Sequence, residues 1–203
     1  MKLGMIDYGR GNIRSVINAC STLGHDPVLI TKPDELADMT HLIFPGQGAF
    51  GDCMESLHRL GLAEPLREWI SAGKPYFGIC IGYQLLFEAS EESPGTAGLG
   101  VVAGTVRRFT GNGIKVPHMG WNAANLEKAD SPFWAGFDDS PYFYFVHSFY
   151  PTRVDPELVS ATCDYGDESF CAAIEKGNLL ATQFHPEKSQ HAGLKLLGNF
   201  LGS

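Results

Sequence analysis

In the first half of the chain, short apolar runs alternate with stretches whose apolar residues recur at helical spacing. Between Ile13 and Leu23, for example, apolar side chains lie on one helical face, and Gly24 follows as a stop signal. This alternation predicts parallel strands joined by right-handed helical crossovers. The predicted strands are 2–7, 27–31, 41–46 and 76–80, and the predicted helices are 12–24, 33–38, 50–72 (broken near Gly61 and Pro65) and 81–90.

After residue 92 the pattern changes to a loop followed by short strand-like runs. Turn signals such as DYGD and KGN between these runs predict antiparallel hairpins. The runs are 101–109, 121–127, 142–149, 157–165, 169–177 and 179–186, and a helix over 193–201 follows. Without a repeat or linker, we expect one α/β domain over 1–203, with a mixed, mostly parallel central sheet flanked by helices and antiparallel hairpins in its C-terminal half.

Composition narrows the choice of partners and compartment. Of the 203 residues, 44% are hydrophobic and 19% are charged, and the net charge of −8 argues against nucleic acid or an anionic membrane as a partner. No apolar run reaches the roughly 18 residues of a membrane-spanning helix, and the N-terminus lacks a secretory signal pattern. Five cysteines without metal-ligand spacing favour a reducing cytoplasm and no metal or cofactor. Cys163 and Cys171, which flank a predicted hairpin turn, are interpreted as reduced structural thiols.

Cys80 lies between a predicted strand and a predicted helix, with Gly78 and Gly82 on either side. Glycines remove the Cβ clashes that resist a tight bend, so GICIG predicts a sharp corner. Such a corner lies at the carboxyl end of a parallel strand, where open α/β sheets bind ligands. The layout is similar to the G-x-S-x-G nucleophile elbow, and the following helix N-terminus favours a thiolate. From this motif alone, a buried structural thiol is an equally good interpretation.

The segment QFHPE places His185 and Glu187 two residues apart at the end of an apolar run. Strand alternation would put both side chains on one face. The imidazole can then take a proton from a thiol, and the carboxylate can orient the imidazole. A solvated strand end explains such a pair on its own, but together with the GxCxG motif the chemical interpretation becomes the stronger one.

A third motif, PGQG, follows the predicted strand 41–46. Gly46 and Gly48 leave the backbone free to turn N–H groups toward a pocket, where they can hold the negative oxygen formed when a thiolate attacks a carbonyl. A simple strand-to-helix turn is the alternative interpretation.

The motifs PGxG, GICIGYQ and HPE, in this order, resemble those of the class I glutamine amidotransferases. The resemblance covers almost the whole chain and implies the amidotransferase fold and hydrolysis of the glutamine side-chain amide through a γ-glutamyl thioester. It implies Cys80 as nucleophile, His185 as general base and acid, and Glu187 as the orienting carboxylate. It further implies an oxyanion site at Gly46, Gln47 and Gly48, and contacts to the α-amino and α-carboxylate groups of glutamine from Gln84, His147, Ser148 and Phe149.

Four longer motifs, IDYGRGNIRSV, VPHMGWN, YFVHSFY and QFHPEKSQ, are similar to those of the glutaminase subunits of imidazole glycerol phosphate synthase. That resemblance implies a heterodimer with a separate (β/α)8-barrel cyclase, which uses the ammonia to form imidazole glycerol phosphate and aminoimidazole carboxamide ribotide in histidine biosynthesis. A methionine and a tryptophan among polar residues suit an interface anchor, although core packing also explains a tryptophan. The expected interface residues are His118, Met119, Gly120, Trp121, Asn122 and Tyr144.

Gln47 departs from the resembled subfamily, in which a small apolar residue stands between the two glycines of PGxG. Any residue except proline supplies a backbone N–H, so the oxyanion role is retained, and the ease with which this peptide reorients is what changes. We expect low basal glutaminase activity that rises with the cyclase and its nucleotide ligand.

Three alternatives stay open from the sequence. The chain can serve another class I amidotransferase, such as one for anthranilate or aminodeoxychorismate synthesis. It can be a cysteine hydrolase of related fold that does not use glutamine. It can also be a catalytically silent binding module, against which the complete Cys–His–Glu set speaks.

Overall fold

A computed structural model describes residues 1–9, 13–111 and 113–202. Residues 10–12, which hold the predicted start of the first helix and part of IDYGRGN, lie outside the described residues. The described helices are α1 (Ile13–Thr22), α2 (Phe50–Arg59), α3 (Ala63–Ser71), α4 (Ile81–Gln84) and α5 (Gln190–Leu201). The described strands are β1 (Leu3–Ile6), β2 (Val28–Ile30), β3 (His41–Phe44), β4 (Tyr76–Ile79), β5 (Ala89–Ser90), β6 (Thr105–Arg108), β7 (His118–Ala123), β8 (Asn125–Leu126), β9 (Tyr142–His147), β10 (Phe149–Thr152), β11 (Val159–Tyr165), β12 (Glu168–Lys176) and β13 (Leu179–Thr182).

The largest sheet has eight strands in the order β2-β1-β3-β4-β13-β12-β11-β8. The first five strands are parallel to one another, and the pairs from β13 to β8 are antiparallel, which confirms a mixed, mostly parallel sheet with C-terminal hairpins. Because β4 lies beside β13, with Ile79 opposite Thr182, the carboxyl ends of the two strands meet at one edge. The N–H of Cys80 donates to the Thr182 carbonyl over 2.8 Å, which fixes the cysteine beside the segment leading to His185.

Alternating residues of the parallel strands fill two apolar clusters, one on each face of the sheet. In β3, for instance, Leu42 and Phe44 pack in one cluster and Ile43 packs in the other. Helices α2 and α3 cover the first face, and α1 and α5 cover the second. Burial on both faces explains why these strands read as continuous apolar runs rather than as alternating ones.

All five cysteines are thiols. Cys163 and Cys171 lie on adjacent antiparallel strands, but Cys163 packs in one apolar cluster and Cys171 in the other, so their side chains point to opposite faces of the sheet. Burial raises the pKa of each to about 12. This supports their interpretation as reduced structural thiols.

The predicted helix 81–90 is wrong beyond its first turn. The α-helix ends at Gln84, and residues 89–90 form the short strand β5. A neighbouring loop takes the carbonyls that a helix would need: the N–H of Leu99 bonds to Leu85, and the N–H groups of Val101 and Val102 bond to Leu86. These tertiary hydrogen bonds replace the intrahelical ladder and override the local helical pattern.

Other predicted boundaries shift for local reasons. The segment 50–72 breaks at Gly61 as predicted, where φ is +69°, but Pro65 sits in the first turn of α3, where a helix needs no N–H. The run 101–109 is strand only from Thr105, and the run 121–127 divides into the end of β7 and β8. No helix among the described residues is long and apolar enough to cross a membrane.

Candidate active site

Cys80 occupies a strained backbone corner between β4 and α4. Its φ of 52° and ψ of −100° are rare for a residue with a side chain, and such strain is maintained only by surrounding structure. The flanking glycines provide that structure. A Cβ on Gly78 would lie 2.6 Å from the Gly82 carbonyl oxygen, and a Cβ on Gly82 would overlap the Phe44 carbonyl. The GICIG pattern therefore reflects close backbone packing that holds the thiol at the sheet edge.

The helix that follows this corner is a single turn, Ile81–Gln84. A macrodipole needs several aligned peptides, so α4 contributes less to the electrostatics of the thiol than the sequence predicts.

His185 and Glu187 form a buried pair at the same edge. The Nδ1 atom of His185 lies 2.8 Å from Oε1 of Glu187, and both side chains are almost completely buried. The strand β13 already ends at Thr182, and Glu187 lies in a 3-10 turn over Pro186–Lys188, so the turn rather than strand alternation brings the two groups together. The N–H of His185 donates to the Tyr144 carbonyl over 2.9 Å, which anchors this segment to β9.

The electrostatic surroundings favour the protonated imidazole. Burial lowers the pKa of His185, but the interactions with the Cys80 sulfur and the Glu187 carboxylate outweigh burial and raise the pKa to about 10. Nε2 of His185 is buried, and no described residue meets it with hydrogen-bond geometry. The arrangement therefore favours an imidazolium whose charge is balanced by the Glu187 carboxylate.

A cavity of about 440 Å³ opens at this edge of the sheet and brings together most of the predicted site residues. Its volume is that of a typical small-molecule site. The lining residues are Gln47, Gly48, Cys80, Ile81, Gln84, Glu92, Pro117, Val146, His147, Ser148, Phe149 and His185. Glu187 lies behind His185, outside the lining.

The predicted oxyanion segment divides into three differently placed residues. Gly46 does not line the cavity, and a Cβ on it would overlap Ile81, so this glycine permits close packing. Gly48 lines the cavity with φ of +133°, a conformation that requires glycine. The N–H of Gln47 donates to the Tyr8 hydroxyl over 3.2 Å. The same hydroxyl donates to the Gln47 carbonyl, also over 3.2 Å. In this conformation the Gln47 N–H is bonded to Tyr8, a residue for which the sequence predicts no role in the site.

Gln84 is buried at the cavity wall with both N–H groups in use. Its Nε2 atom donates to the Phe149 carbonyl over 2.9 Å and to Oε1 of Gln183 over 3.0 Å. Only its side-chain oxygen can meet an ammonium group of a ligand. Gln183, for which the sequence predicts no role, donates from Nε2 to Sγ of Cys80 over 3.7 Å. It lies two residues before His185, but nothing in its residue type marks it as a site residue.

The segment His147–Phe149 forms another wall of the cavity, but its three residues differ in what they can offer. Both ring nitrogens of His147 are occupied, Nδ1 by the Phe149 carbonyl at 2.9 Å and Nε2 by His118 at 3.0 Å. No nitrogen of the His147 side chain therefore remains for a ligand, although the residue lines the cavity, and its contact with glutamine stays a prediction. Ser148 and the Phe149 backbone lie at the cavity wall.

The predicted interface residues fall on two sides of β7. Met119 is 59% exposed and Trp121 is 46% exposed, and Tyr142 on the paired strand β9 is 61% exposed. Tyr144 is partly exposed, with its ring 6.3 Å from the Trp121 ring, while Gly120 and Asn122 are half-buried. His118 is only 3% exposed, because strand alternation turns it toward the core, so its predicted contact with a partner is wrong.

Comparisons with known proteins agree on the family. The model of the family "Glutamine amidotransferase class-I" matches residues 4–202. The imidazole glycerol phosphate synthase subunit HisH of Synechococcus sp. (strain JA-3-3Ab) is 46% identical over 202 residues, covering 99% of this chain and 93% of the relative. HisH of Acinetobacter baylyi is 44% identical over 207 residues, covering 98% and 97%. The imidazole glycerol phosphate synthase hisHF of Schizosaccharomyces pombe is 45% identical and covers 99% of this chain but 38% of the relative.

Two solved structures share the fold. A crystal structure of a glutamine amidotransferase superimposes with a TM-score of 0.78 at 22% identity, covering 100% of this chain and 98% of that one. The PurLQS structure from Thermotoga maritima gives a TM-score of 0.77 at 22% identity, covering 99% and 97%. The chain therefore belongs to the class I glutamine amidotransferase family and, within that family, to the HisH subunits of imidazole glycerol phosphate synthase.

Proposed function

We propose that the chain is the glutaminase subunit of an imidazole glycerol phosphate synthase, with Cys80, His185 and Glu187 as its catalytic set. The observation that carries the proposal is the strained corner of Cys80 at a cavity that His185 also lines, with Glu187 bonded to the far side of that imidazole. A thiolate beside an imidazolium is the reactive form of such a nucleophile.

In the proposed reaction, the Cys80 thiolate attacks the side-chain carbonyl carbon of glutamine and forms a tetrahedral oxyanion. His185 then donates its proton to the departing nitrogen, so that ammonia leaves and a γ-glutamyl thioester remains on sulfur. A water molecule gives a proton to His185 as it attacks the thioester carbonyl. The C–S bond then breaks, which restores the Cys80 thiolate and the imidazolium, and the new carboxyl group of glutamate loses its proton to solvent. Glu187 stabilises the imidazolium in both halves of the cycle.

The oxyanion site is incomplete in the described conformation. Gly48 lines the cavity, but the N–H of Gln47 is bonded to Tyr8. The Gln47 peptide has to give up this bond before it can donate to an oxyanion, which supports the expected low basal activity.

For substrate binding, the side-chain oxygen of Gln84 and the wall formed by Ser148 and Phe149 are the groups we assign to the α-amino and α-carboxylate ends of glutamine.

A cyclase partner, expected to be a (β/α)8 barrel in a heterodimer, would receive the ammonia. In water, ammonia is protonated and loses its nucleophilicity, so transfer within a complex is chemically favoured. Met119, Trp121 and Tyr142 expose apolar surface on one small sheet, as an anchoring contact requires. The Schizosaccharomyces relative, much longer than this chain, carries a name that joins hisH and hisF in one protein, which supports a partner for this chain.

We infer that residues 1–203 act as one domain, because β4 from the first half and β13 from the second are neighbours in the same sheet. The cytoplasm is the proposed compartment, since all five cysteines are thiols and four of them are buried.

Glutamate release measured with the cyclase present tests the proposal. Cys80→Ser should lose glutamine-dependent turnover, while the same complex should still make product from added ammonium salts. Loss of both activities to the same extent would assign Cys80 a structural role instead. Undiminished glutamate release from Cys80→Ser would remove Cys80 from the reaction.

A further inference from the structure

Two buried histidines outside the proposed catalytic set face each other between β7 and β9. His118 and His147 are direct partners in the strand register, and Nδ1 of His118 lies 3.0 Å from Nε2 of His147. His118 also stacks on Tyr165 and on Phe145, with ring centroids 4.0 Å and 4.8 Å away. Neither imidazole contacts a carboxylate of the residues that the structure describes, and burial lowers the pKa of His118 to about 4 and that of His147 to about 3. Both rings are therefore neutral at physiological pH.

The direction of each hydrogen bond in this pair follows from a backbone carbonyl. Nδ1 of His147 lies 2.9 Å from the Phe149 carbonyl, which can only accept, so this nitrogen carries the proton. In a neutral ring the other nitrogen is then an acceptor, and Nδ1 of His118 must donate to it. Nε2 of His118 is left as an acceptor, 3.3 Å from Nδ2 of Asn122.

Asn122 fixes the outer end of this arrangement. Its Nδ2 atom also donates to the Asp164 carbonyl over 2.9 Å, and its Oδ1 atom accepts from the N–H of Ala123 over 2.8 Å. A flipped amide would set oxygen against the Asp164 carbonyl, so the amide orientation is determined. Both the amide and the two histidine tautomers thus have one consistent assignment.

The inner end of the arrangement reaches the nucleophile. The Phe149 carbonyl that accepts from His147 also accepts from Nε2 of Gln84. The second N–H of Gln84 points to Oε1 of Gln183, which leaves Nε2 of Gln183 facing Sγ of Cys80 at 3.7 Å. The Phe149 carbonyl thus accepts from both sides, and on the inner side its bond to Gln84 leaves an N–H of Gln183, rather than its carbonyl oxygen, directed at the sulfur.

We propose that His118 and His147 are positioning residues for the Cys80 sulfur, because they hold the Phe149 carbonyl in place, and this carbonyl orients Gln84 and, through it, the Gln183 N–H. The inference rests on the proposed role of Cys80 as the glutaminase nucleophile. An N–H directed at the sulfur stabilises the thiolate, whereas a flipped Gln183 amide would present an oxygen and repel it. These hydrogen bonds start on β7, directly behind the face on which Met119 and Trp121 are exposed.

Alkylation of Cys80 by iodoacetamide, followed on its own peptide by mass spectrometry, tests the proposal because the rate reports the thiolate. His118→Phe keeps the stacked ring but removes the N–H to His147. We expect its alkylation rate and its kcat for glutamine, measured with the cyclase, to fall about fivefold, the effect of losing one net hydrogen bond. His118→Asn can place an amide N–H near the former Nδ1 and should recover most of both rates.

Tyr165→Phe is the matched control, since it removes a hydroxyl from a ring stacked on His118 without touching these hydrogen bonds. It should behave as the unmodified protein in both assays. A folded His118→Phe with unchanged alkylation would overturn the proposal, as would equal losses in His118→Phe and His118→Asn. Failure of the proposed function looks different: the unmodified complex would release no glutamate although Cys80 is still alkylated.

Nitrogen-15 NMR of the unmodified protein gives a second test that does not depend on variants folding. Both histidines should be neutral, with the proton on Nδ1 and a bare Nε2. A bare Nδ1 on either ring would reverse a link and overturn the assigned polarity.

Discussion

The buried pair His118 and His147 should lower the free energy of unfolding at acid pH. Burial lowers the pKa of His118 to about 4 and that of His147 to about 3, against roughly 6.5 in an unfolded chain. Below the histidine pKa of the unfolded state, the unfolded chain binds protons at these two residues and the native protein does not. The free energy of unfolding therefore falls as pH decreases. Lowering the pH from about 7.5 to about 5 should cost about 2 kcal/mol per histidine, since each unfolded ring is almost fully protonated at the lower pH.

Urea unfolding of the unmodified protein and of His118→Asn at both pH values measures this cost. The variant lacks one of the two buried rings, so its free energy of unfolding should fall by about 2 kcal/mol less over the same interval. His185 and the carboxylates also titrate, but they are present in both proteins and cancel in the difference. Phe145→Leu is the control, because it loosens the ring stack without removing a titrating group. Equal pH dependence in the unmodified protein and His118→Asn would refute the reasoning.

Three further predictions concern the corner, the exposed patch and the carboxylate. Gly82→Ala places a methyl group on the Phe44 carbonyl and should lower the free energy of unfolding by about 2 kcal/mol or more, measured by urea denaturation; an unchanged midpoint would contradict the close packing. Trp121→Ala should leave folding intact and weaken cyclase binding by about 2 kcal/mol in calorimetric titration, whereas unaltered affinity would place the contact elsewhere. Glu187→Gln removes a charge that raises the pKa of His185, so the pKa should fall and kcat should drop about tenfold or more; a pH–rate profile that does not shift would exclude the carboxylate from this role.

The sequence predicts well the features that depend on local patterning. The parallel strands appear as apolar runs, and GICIG marks a corner that needs both glycines for backbone clearance. Prediction from the sequence fails where a distant segment forms hydrogen bonds with backbone groups that a local helix would use. Residues 85–88 have a helical pattern, but N–H groups from the loop around Leu99 take their carbonyls, and no local signal reports this.

The residues of the candidate active site likewise fall into those that the sequence predicts and those that it does not. Cys80 and His185 stand out as reactive residue types in short motifs, and the structure brings both to one cavity. Gln183 and Tyr8 are ordinary residue types whose importance lies in which backbone or sulfur atom they meet. The VPHMGWN motif predicts His118 at an interface, whereas its position as the first residue of β7 turns its side chain inward.

The central claim is that Cys80 becomes covalently attached to the glutamyl group of glutamine. Mixing the complex with glutamine, quenching in acid and mapping the peptides by mass spectrometry measures this attachment directly. We predict a γ-glutamyl adduct on the Cys80 peptide alone, which disappears as glutamine is consumed and does not form in Cys80→Ala. Steady glutamate release with Cys80 unmodified throughout, and equal release from Cys80→Ala, would contradict the account.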